Sequence, residues 1–173
     1  MNSTAIEAKL KVDGRSWRRW PDPGAAIAPS SVGVYVFRLI TGSVICRVRG
    51  TSEIVYVGYS GNIQNRLRAH YNPDWGSFKD SGWLISLVAN GAPLEVTWQE
   101  LPEEDARVME GEILQEYLLD HLELPPANRQ IPEISSENGI VIAVLSLDES
   151  ARGRVMQNLE DRIRFVKPGG RNE

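Results

Sequence analysis

Three short β-forming runs separated by glycine turns lie between residues 33 and 58, and they constrain the fold more than any other feature of the chain. Gly33 to Ile40 (GVYVFRLI) is rich in β-branched and aromatic residues, which suit a pleated, buried surface. Ile54 to Gly58 (IVYVG) is shorter and strongly apolar, so it is expected to be central in its sheet. Val44 to Val48 reads as a weaker strand between them, with Thr41-Gly42-Ser43 and Gly50-Thr51-Ser52 as the turns. Then the period changes. Asn62 is a natural N-cap, and Ile63, Leu67 and Tyr71 recur at spacing four, which predicts a helix to Tyr71.

Farther on, Trp83 to Val88 reads as a short helix closed by Asn90-Gly91, and Leu94 to Leu101 (LEVTWQEL) as a strand. Pro102 followed by Glu103, Glu104 and Asp105 opens a long helix, where negative charge suits the positive end of the helix dipole. Val108, Ile113, Leu114, Tyr117 and Leu118 are its expected apolar stripe, and Pro125-Pro126 its stop. Ile140 to Leu147 is a further β run, and Asp148 to Val166 a final amphipathic helix. Upstream, residues 1–20 alternate weakly around Leu10 and Val12, and Ala25 to Ser31 reads as a connector. This order of elements is that of an α/β or α+β domain.

Composition narrows the class. At 173 residues the chain fits one domain with short appendages. No apolar run approaches the roughly 18 residues of a membrane span, and Met1 to Lys11 lacks the apolar core of a secretory signal, so a cytoplasmic protein is expected. Cys46 is the only cysteine, which excludes an intrachain disulfide and a multi-cysteine zinc site; it is expected to be a buried strand residue. The net charge is −4, but it is unevenly spread. Residues 31–71 carry five arginines against Glu53 alone, whereas residues 101–124 carry eight acids against Arg107. Such asymmetry is compatible with a phosphate-binding face set apart from a solvated acidic helix, and equally with an ordinary surface.

Certain residues carry more than fold. Gly33-Val34-Tyr35 and Tyr56-Val57-Gly58, with Arg66 ten positions past Tyr56, resemble the two tripeptides and the arginine of the GIY-YIG nuclease family, with valine for isoleucine in each tripeptide. Ser60, Asn62, Ile63, Leu67 and His70 continue the likeness. Asp105-Ala106, Glu110, Ile113, Leu114 and Tyr117 are similar to the family's helix that bears its single metal-binding glutamate, and Pro125-Pro126-Ala127-Asn128 resembles the proline and asparagine that follow. The resemblance covers roughly Val32 to Asn128. It implies a small central, mostly antiparallel sheet flanked by helices. Residues 1–31 and 131–173 would then be an N-terminal extension and a C-terminal strand–helix extension packed on the nuclease-like domain of residues 32–130.

The residue types suit that chemistry. Phosphodiester hydrolysis needs an activated water, a cation to neutralise developing charge, and donors that hold the phosphate. Tyr35 and Tyr56 lie in runs that could pair side by side, with both phenols on one face. Arg66 can bind a phosphate bidentately and stays charged at any working pH. His70 lies at i+4 from Arg66, on the same helix face, with an imidazole in the range to accept a proton. Glu110 offers a hard oxygen ligand suited to one Mg²⁺ or Mn²⁺. By composition alone Glu112 or Glu116 would serve as well; the spacing to Ile113, Leu114 and Tyr117 in the family pattern selects Glu110.

The expected catalytic set is therefore Tyr35, which activates a water with help from Tyr56 or His70, Arg66 on the phosphate, Glu110 on the metal and Asn128 fixing local geometry. Gly58, Tyr59, Ser60, Arg47, Arg49 and Arg68 are expected to contact substrate, with the Arg18-Arg19 pair adding nonspecific phosphate contacts. Tyr59 departs from the family pattern, which often has lysine or another polar residue there. The expected partner is nucleic acid, with DNA what the resemblance implies. A protein partner is compatible with the residues, and they leave the oligomeric state open. The rival expectation is a catalytically quiet binding module that keeps the fold; its mark would be loss of Arg66 or the helix glutamate, and both are present.

Overall fold

The computed structural model describes residues 1–40, 42–71 and 91–128. The elements expected at 83–88, 140–147 and 148–166 lie outside the described residues. Within them, a four-stranded sheet is built from β1 (Arg18–Trp20), β2 (Gly33–Leu39), β5 (Ile54–Ser60) and β6 (Leu94–Glu100), in the order β1-β6-β2-β5 with every pair antiparallel. A separate two-stranded ribbon pairs β3 (Ile45–Cys46) with β4 (Thr51–Ser52). Four helices accompany them: α1 (Ser3–Leu10), the short α2 (Gly24–Ile27), α3 (Ile63–Tyr71) and α4 (Glu103–His121). The fold is a mixed α/β domain with a central antiparallel sheet flanked by helices.

Alternation along β2 and β5 divides the core in two. Tyr35, Phe37 and Tyr56 face one side, packed with Ile63 and Leu67 of α3 and with Trp20, Leu94 and Val96. Val34, Val36, Ile54 and Val57 face the other, packed with Ile6 and Leu10 of α1 and with Ala106, Ile113, Leu114 and Tyr117 of α4. Burying a leucine or isoleucine fully, as at Leu67, Ile113 and Leu114, contributes about 1.5–3 kcal/mol each. Since both faces of β2 are covered, the strand reads as a continuous apolar run rather than an alternating one.

Several expectations change here. Among the described residues β5 is an edge strand, not a central one. Its apolarity comes from cover on both faces, and its outer edge is also closed. Ala127 N–H donates to Val55 O at 3.0 Å; Asn128 Oδ1 accepts from Val57 N–H at 3.0 Å, and Asn128 Nδ2 donates to Val57 O at 2.8 Å. An amide side chain thus stands in for a neighbouring strand and satisfies an otherwise open edge. Residues 44–48 form only a two-residue strand, with Val44, Cys46 and Val48 exposed, because the ribbon lacks a second layer to pack on that side. Thr51-Ser52 is strand β4 rather than part of the turn, which Gly50 makes at φ +73°.

The long helix ends at His121, before Pro125, where Leu122 takes the left-handed conformation and its N–H caps Leu118 O. Its buried stripe runs through Ala106, Ile113, Leu114, Tyr117 and His121, and Val108 is exposed. Helix α1 had no clear signal, having only Ile6 and Leu10 as buried apolar residues on eight positions. It starts at Asn2, whose side chain accepts from Ala5 N–H at 3.0 Å, and Lys9 ties it to Glu112 and Glu116 of α4. Ala25 to Ser31, read as a connector, begins within α2.

Candidate active site

Antiparallel pairing of β2 and β5 sets Tyr35 opposite Gly58 and Phe37 opposite Tyr56. The two tyrosines are diagonal neighbours on one face, with ring centroids 5.9 Å apart. Gly58 makes this possible: a Cβ there would lie 2.6 Å from Tyr56 Cε1 and 2.7 Å from Tyr35 Oη. The phenols occupy the space a side chain would need, so the third residue of the second tripeptide is fixed by packing. At Gly33 a Cβ would collide with the Gln99 carbonyl and lie 2.8 Å from Ile63 Cδ1, so this glycine lets β6 and α3 approach.

After β5 the chain turns into α3 through two local hydrogen bonds. Ser60 Oγ accepts from Asn62 N–H at 3.0 Å, and Asn62 Oδ1 caps Asn65 N–H at 2.9 Å. The cap aims Arg66 and His70, one turn apart, at the tyrosines. Arg66 Nε–H donates to Tyr35 Oη at 3.4 Å, and His70 Nε2 lies 2.8 Å from the same oxygen. His70 is wholly buried among Tyr35, Phe37 and Tyr56, with ring centroids 5.3–5.7 Å away.

Burial governs the electrostatics. Desolvation, and then the Arg66 cation, lower His70 to about 3, so its ring is neutral at ordinary pH. A ring so depressed accepts a proton poorly, whereas the expectation rests on an imidazole in its usual range; its Nε2 contact is with the Tyr35 hydroxyl. Burial pushes Tyr35 well above its ordinary value, aided by Tyr56, and raises Tyr56 against the opposing pull of Arg66. Burial works against the Arg66 charge, but the neighbouring phenol oxygens outweigh it and the guanidinium stays protonated. Tyr35 is fully buried, whereas Tyr56 retains 8% exposure. Tyr56 is thus the less deeply buried of the two tyrosines.

Glu110 approaches from the opposite layer. Helix α4 packs on the face away from α3, yet the Glu110 charge acts on Tyr56 and feels Arg66 past the edge strand. Its carboxylate is raised to about 7 by burial, opposed by a hydrogen bond from Tyr59 N–H and by Arg107 and Arg66. Among the described residues no group of three His, Cys, Asp or Glu side chains could hold a metal. One desolvated carboxylate within the field of Arg66 fits an ion that keeps most of its shell as water, the habit of Mg²⁺. A divalent cation would also supply the counter-charge that this half-buried carboxylate lacks.

The remaining expected residues scatter. The Asn128 amide is bonded through both its oxygen and its nitrogen to Val57 on the edge of β5. Ser60 is engaged in the turn, and the Tyr59 hydroxyl donates to Glu103 at 2.8 Å. The Arg47 side chain is buried, and its Nη2 pairs with Glu123 at 3.0 Å and donates to Leu124 O at 2.6 Å. Arg18 is folded back onto the Arg15 and Trp17 carbonyls. Arg19, Arg49 and Arg68 are exposed, with Arg68 two positions from Arg66 and so off its face. Sequence reasoning missed Trp98, a half-buried indole opposite Tyr35 on β6, and Phe37 beneath the rings. Only the sheet register puts Trp98 in that row.

No known family profile and no curated protein matches the chain. Among solved structures it matches the GIY-YIG N-terminal endonuclease domain of UvrC from Thermotoga maritima bound to magnesium, at 24% identity and TM-score 0.39, over 61% of this chain and 91% of that one. It matches two point mutants of the same domain, bound to the catalytic divalent cation, at 22% and 23% identity with the same TM-score and coverage. No helix among the described residues is long and apolar enough to cross a membrane. In its motifs and its sheet the chain is similar to GIY-YIG endonuclease domains.

Proposed function

We propose that this protein is a metal-dependent endonuclease that hydrolyses phosphodiester bonds in nucleic acid, with DNA as the substrate its motif pattern implies. The observation that carries this reading is the set around Tyr35: a buried phenol held by Arg66 and His70, beside a second, less deeply buried phenol within the field of the Glu110 carboxylate. Glu110 would hold one Mg²⁺ or Mn²⁺, which when bound supplies Lewis-acid polarisation of a phosphoryl oxygen.

The chain's own groups do the rest. Arg66 donates from Nε to Tyr35 and also bonds the Tyr56 oxygen, and its remaining N–H donors would take phosphate oxygens, where developing negative charge strengthens the contact. The Tyr56 oxygen accepts a hydrogen bond from the attacking water and orients it; this outer position replaces the direct role expected for Tyr35. Burial on balance keeps the Tyr56 phenol protonated even against Arg66, so its oxygen orients the water, and a cation held by Glu110 would lower the pKa of that water so that its proton leaves to solvent. Tyr35 and His70 hold Arg66 and the water-facing phenol in place. The exposed free thiol of Cys46 suits a reducing compartment, and with it a cytoplasmic setting.

The test is nicking of supercoiled plasmid DNA with Mg²⁺, with Mn²⁺ and with EDTA. Nicking that needs the divalent ion is expected. Retardation of the plasmid with no cleavage in any of the three would instead identify a quiet binding module.

A further inference from the structure

Helix α4 sets one arginine, Arg107, among seven acids, and places it three positions before Glu110, on the same side of the helix. Its guanidinium carbon lies 4.5 Å over the Tyr59 ring, and Nη2 lies 2.9 Å from Glu103 Oε1. The Tyr59 hydroxyl donates to that same oxygen at 2.8 Å. The Tyr59 ring lies on the α4 face of the sheet, and its N–H bonds the Glu110 carboxylate, which also feels the Arg107 charge, so the guanidinium stands next to Glu110.

We propose that Arg107 is a second phosphate-binding guanidinium of this site, parked on the Tyr59 ring by Glu103 and handed to a phosphate next to the scissile one when nucleic acid binds. The proposal rests on the nuclease reading and adds a residue that its motif does not contain. Three observations support it. The Arg107 and Glu103 side chains are 60% and 59% exposed, and an ion pair so open to water is weak and easily exchanged. The Tyr59 ring orients the guanidinium through its face, which leaves the in-plane N–H donors free for a phosphate. Arg47, by contrast, is locked in place by Glu123 and Leu124 O. A cation at this point also offsets the repulsion that Glu103, Glu104 and Asp105 would exert on an approaching backbone.

Two measurements test it: plasmid nicking kinetics in Mg²⁺, and binding of a short fluorescein-labelled DNA duplex across a salt series. Arg107→Gln is expected to raise KM about tenfold with kcat nearly unchanged, and to lower the slope of log K against log salt by about one unit. Arg107→Lys should restore the slope but only part of KM, because an ammonium lacks the fork. Glu103→Gln should lower KM, and by less when Arg107 is already glutamine. An Arg107→Gln protein that matches wild type in KM and salt slope, while wild type cleaves, would overturn the proposal and leave the nuclease reading intact. A wild-type protein that neither cleaves nor binds the duplex overturns both.

Discussion

Two places in this molecule bring together a tyrosine, a histidine near the end of a helix and an arginine. Under α3, Tyr35 meets His70 at 2.8 Å and Arg66 at 3.4 Å. At the end of α4, Tyr117 stacks on His121 at 4.4 Å between centroids, with Arg47 5.9 Å over the same ring. Both histidines are buried, and they are the only two in the chain. The difference lies in what the arginine does next. Arg47 is closed off by Glu123 and Leu124 O, and His121 by the Met1 amine and Arg49 O. Among the described residues no carboxylate forms an ion pair with Arg66, which is half-buried. The first cluster therefore keeps a cation directed at whatever enters, and the second spends its cation on holding the β3–β4 ribbon to α4. Residue types make neither a site nor a brace; unspent charge does.

The strongest way to break this contrast is to remove each arginine. Arg66→Ala should cut kcat by about 10²–10³-fold, the usual loss when a preorganised charge-stabilising donor is removed. Arg47→Gln should leave kcat within about twofold and instead destabilise the fold by about 1–3 kcal/mol, since it strands Glu123 and a carbonyl. Single-turnover cleavage and urea unfolding would separate the two; loss of cleavage in Arg47→Gln with an intact fold would erase the distinction.

Glu110→Gln is expected to abolish cleavage yet strengthen the metal-free fold at high pH. The Glu110 pKa is raised in the fold, from 4.5 to about 7, so its contribution is full below pH 4.5 and is lost as pH rises through about 7. The variant should be more stable than wild type at pH 8, on the order of 1–2 kcal/mol after allowance for solvent screening, and equal to it at pH 4. Mg²⁺ should raise the melting temperature of wild type and not of the variant. Equal melting curves at pH 8 would show that the carboxylate is not desolvated.

Gly58→Ala sharpens the same point through packing. A methyl 2.6–2.7 Å from both tyrosines must displace one of them, at a cost of about 1–3 kcal/mol, with a fall in kcat larger than any change in KM. An alanine protein as stable and active as wild type would mean the phenols have room to move. The smallest effect is expected of His70→Tyr, which keeps a ring and a hydroxyl beside Tyr35. His70 is depressed from 6.5 to about 3, so the stability it confers is full above pH 6.5 and is lost as pH falls toward 3. The variant should flatten that acid limb and keep most activity at neutral pH. An unchanged acid limb would assign it to other groups.

Much of this was legible beforehand where the information is local. Tyr35, Gly58 and Arg66 are marked by identity and short spacing, and the Asn62 cap and the acidic start of α4 lie within a few residues of the groups they serve. Less visible was anything decided by cover. Ile54 to Gly58 is as apolar as a central strand, but apolarity records that both faces are buried, not where the strand sits; Asn128, far along the chain, closes its edge. Likewise Arg47 and Arg49 looked like phosphate ligands among basic neighbours, until Glu123 and Leu124 took up the first. Ile6 and Leu10 are too few to announce a helix, and α1 is secured by its contacts with the sheet and α4.

The sequence by itself determined which groups exist and how they are spaced on one strand or one helix: two phenols in neighbouring runs, a guanidinium and an imidazole one turn apart, a glutamate on an acidic helix. Only the tertiary structure decided which of them stay available. The His70 ring is neutral at ordinary pH, Tyr56 is less deeply buried than Tyr35, and among the described residues Arg47 has a carboxylate partner and Arg66 has none. The physical reason is that residue type and helical phase are set by near neighbours, whereas desolvation and ion pairing depend on groups dozens of residues away, and those are what fix a side chain's charge state and its reach.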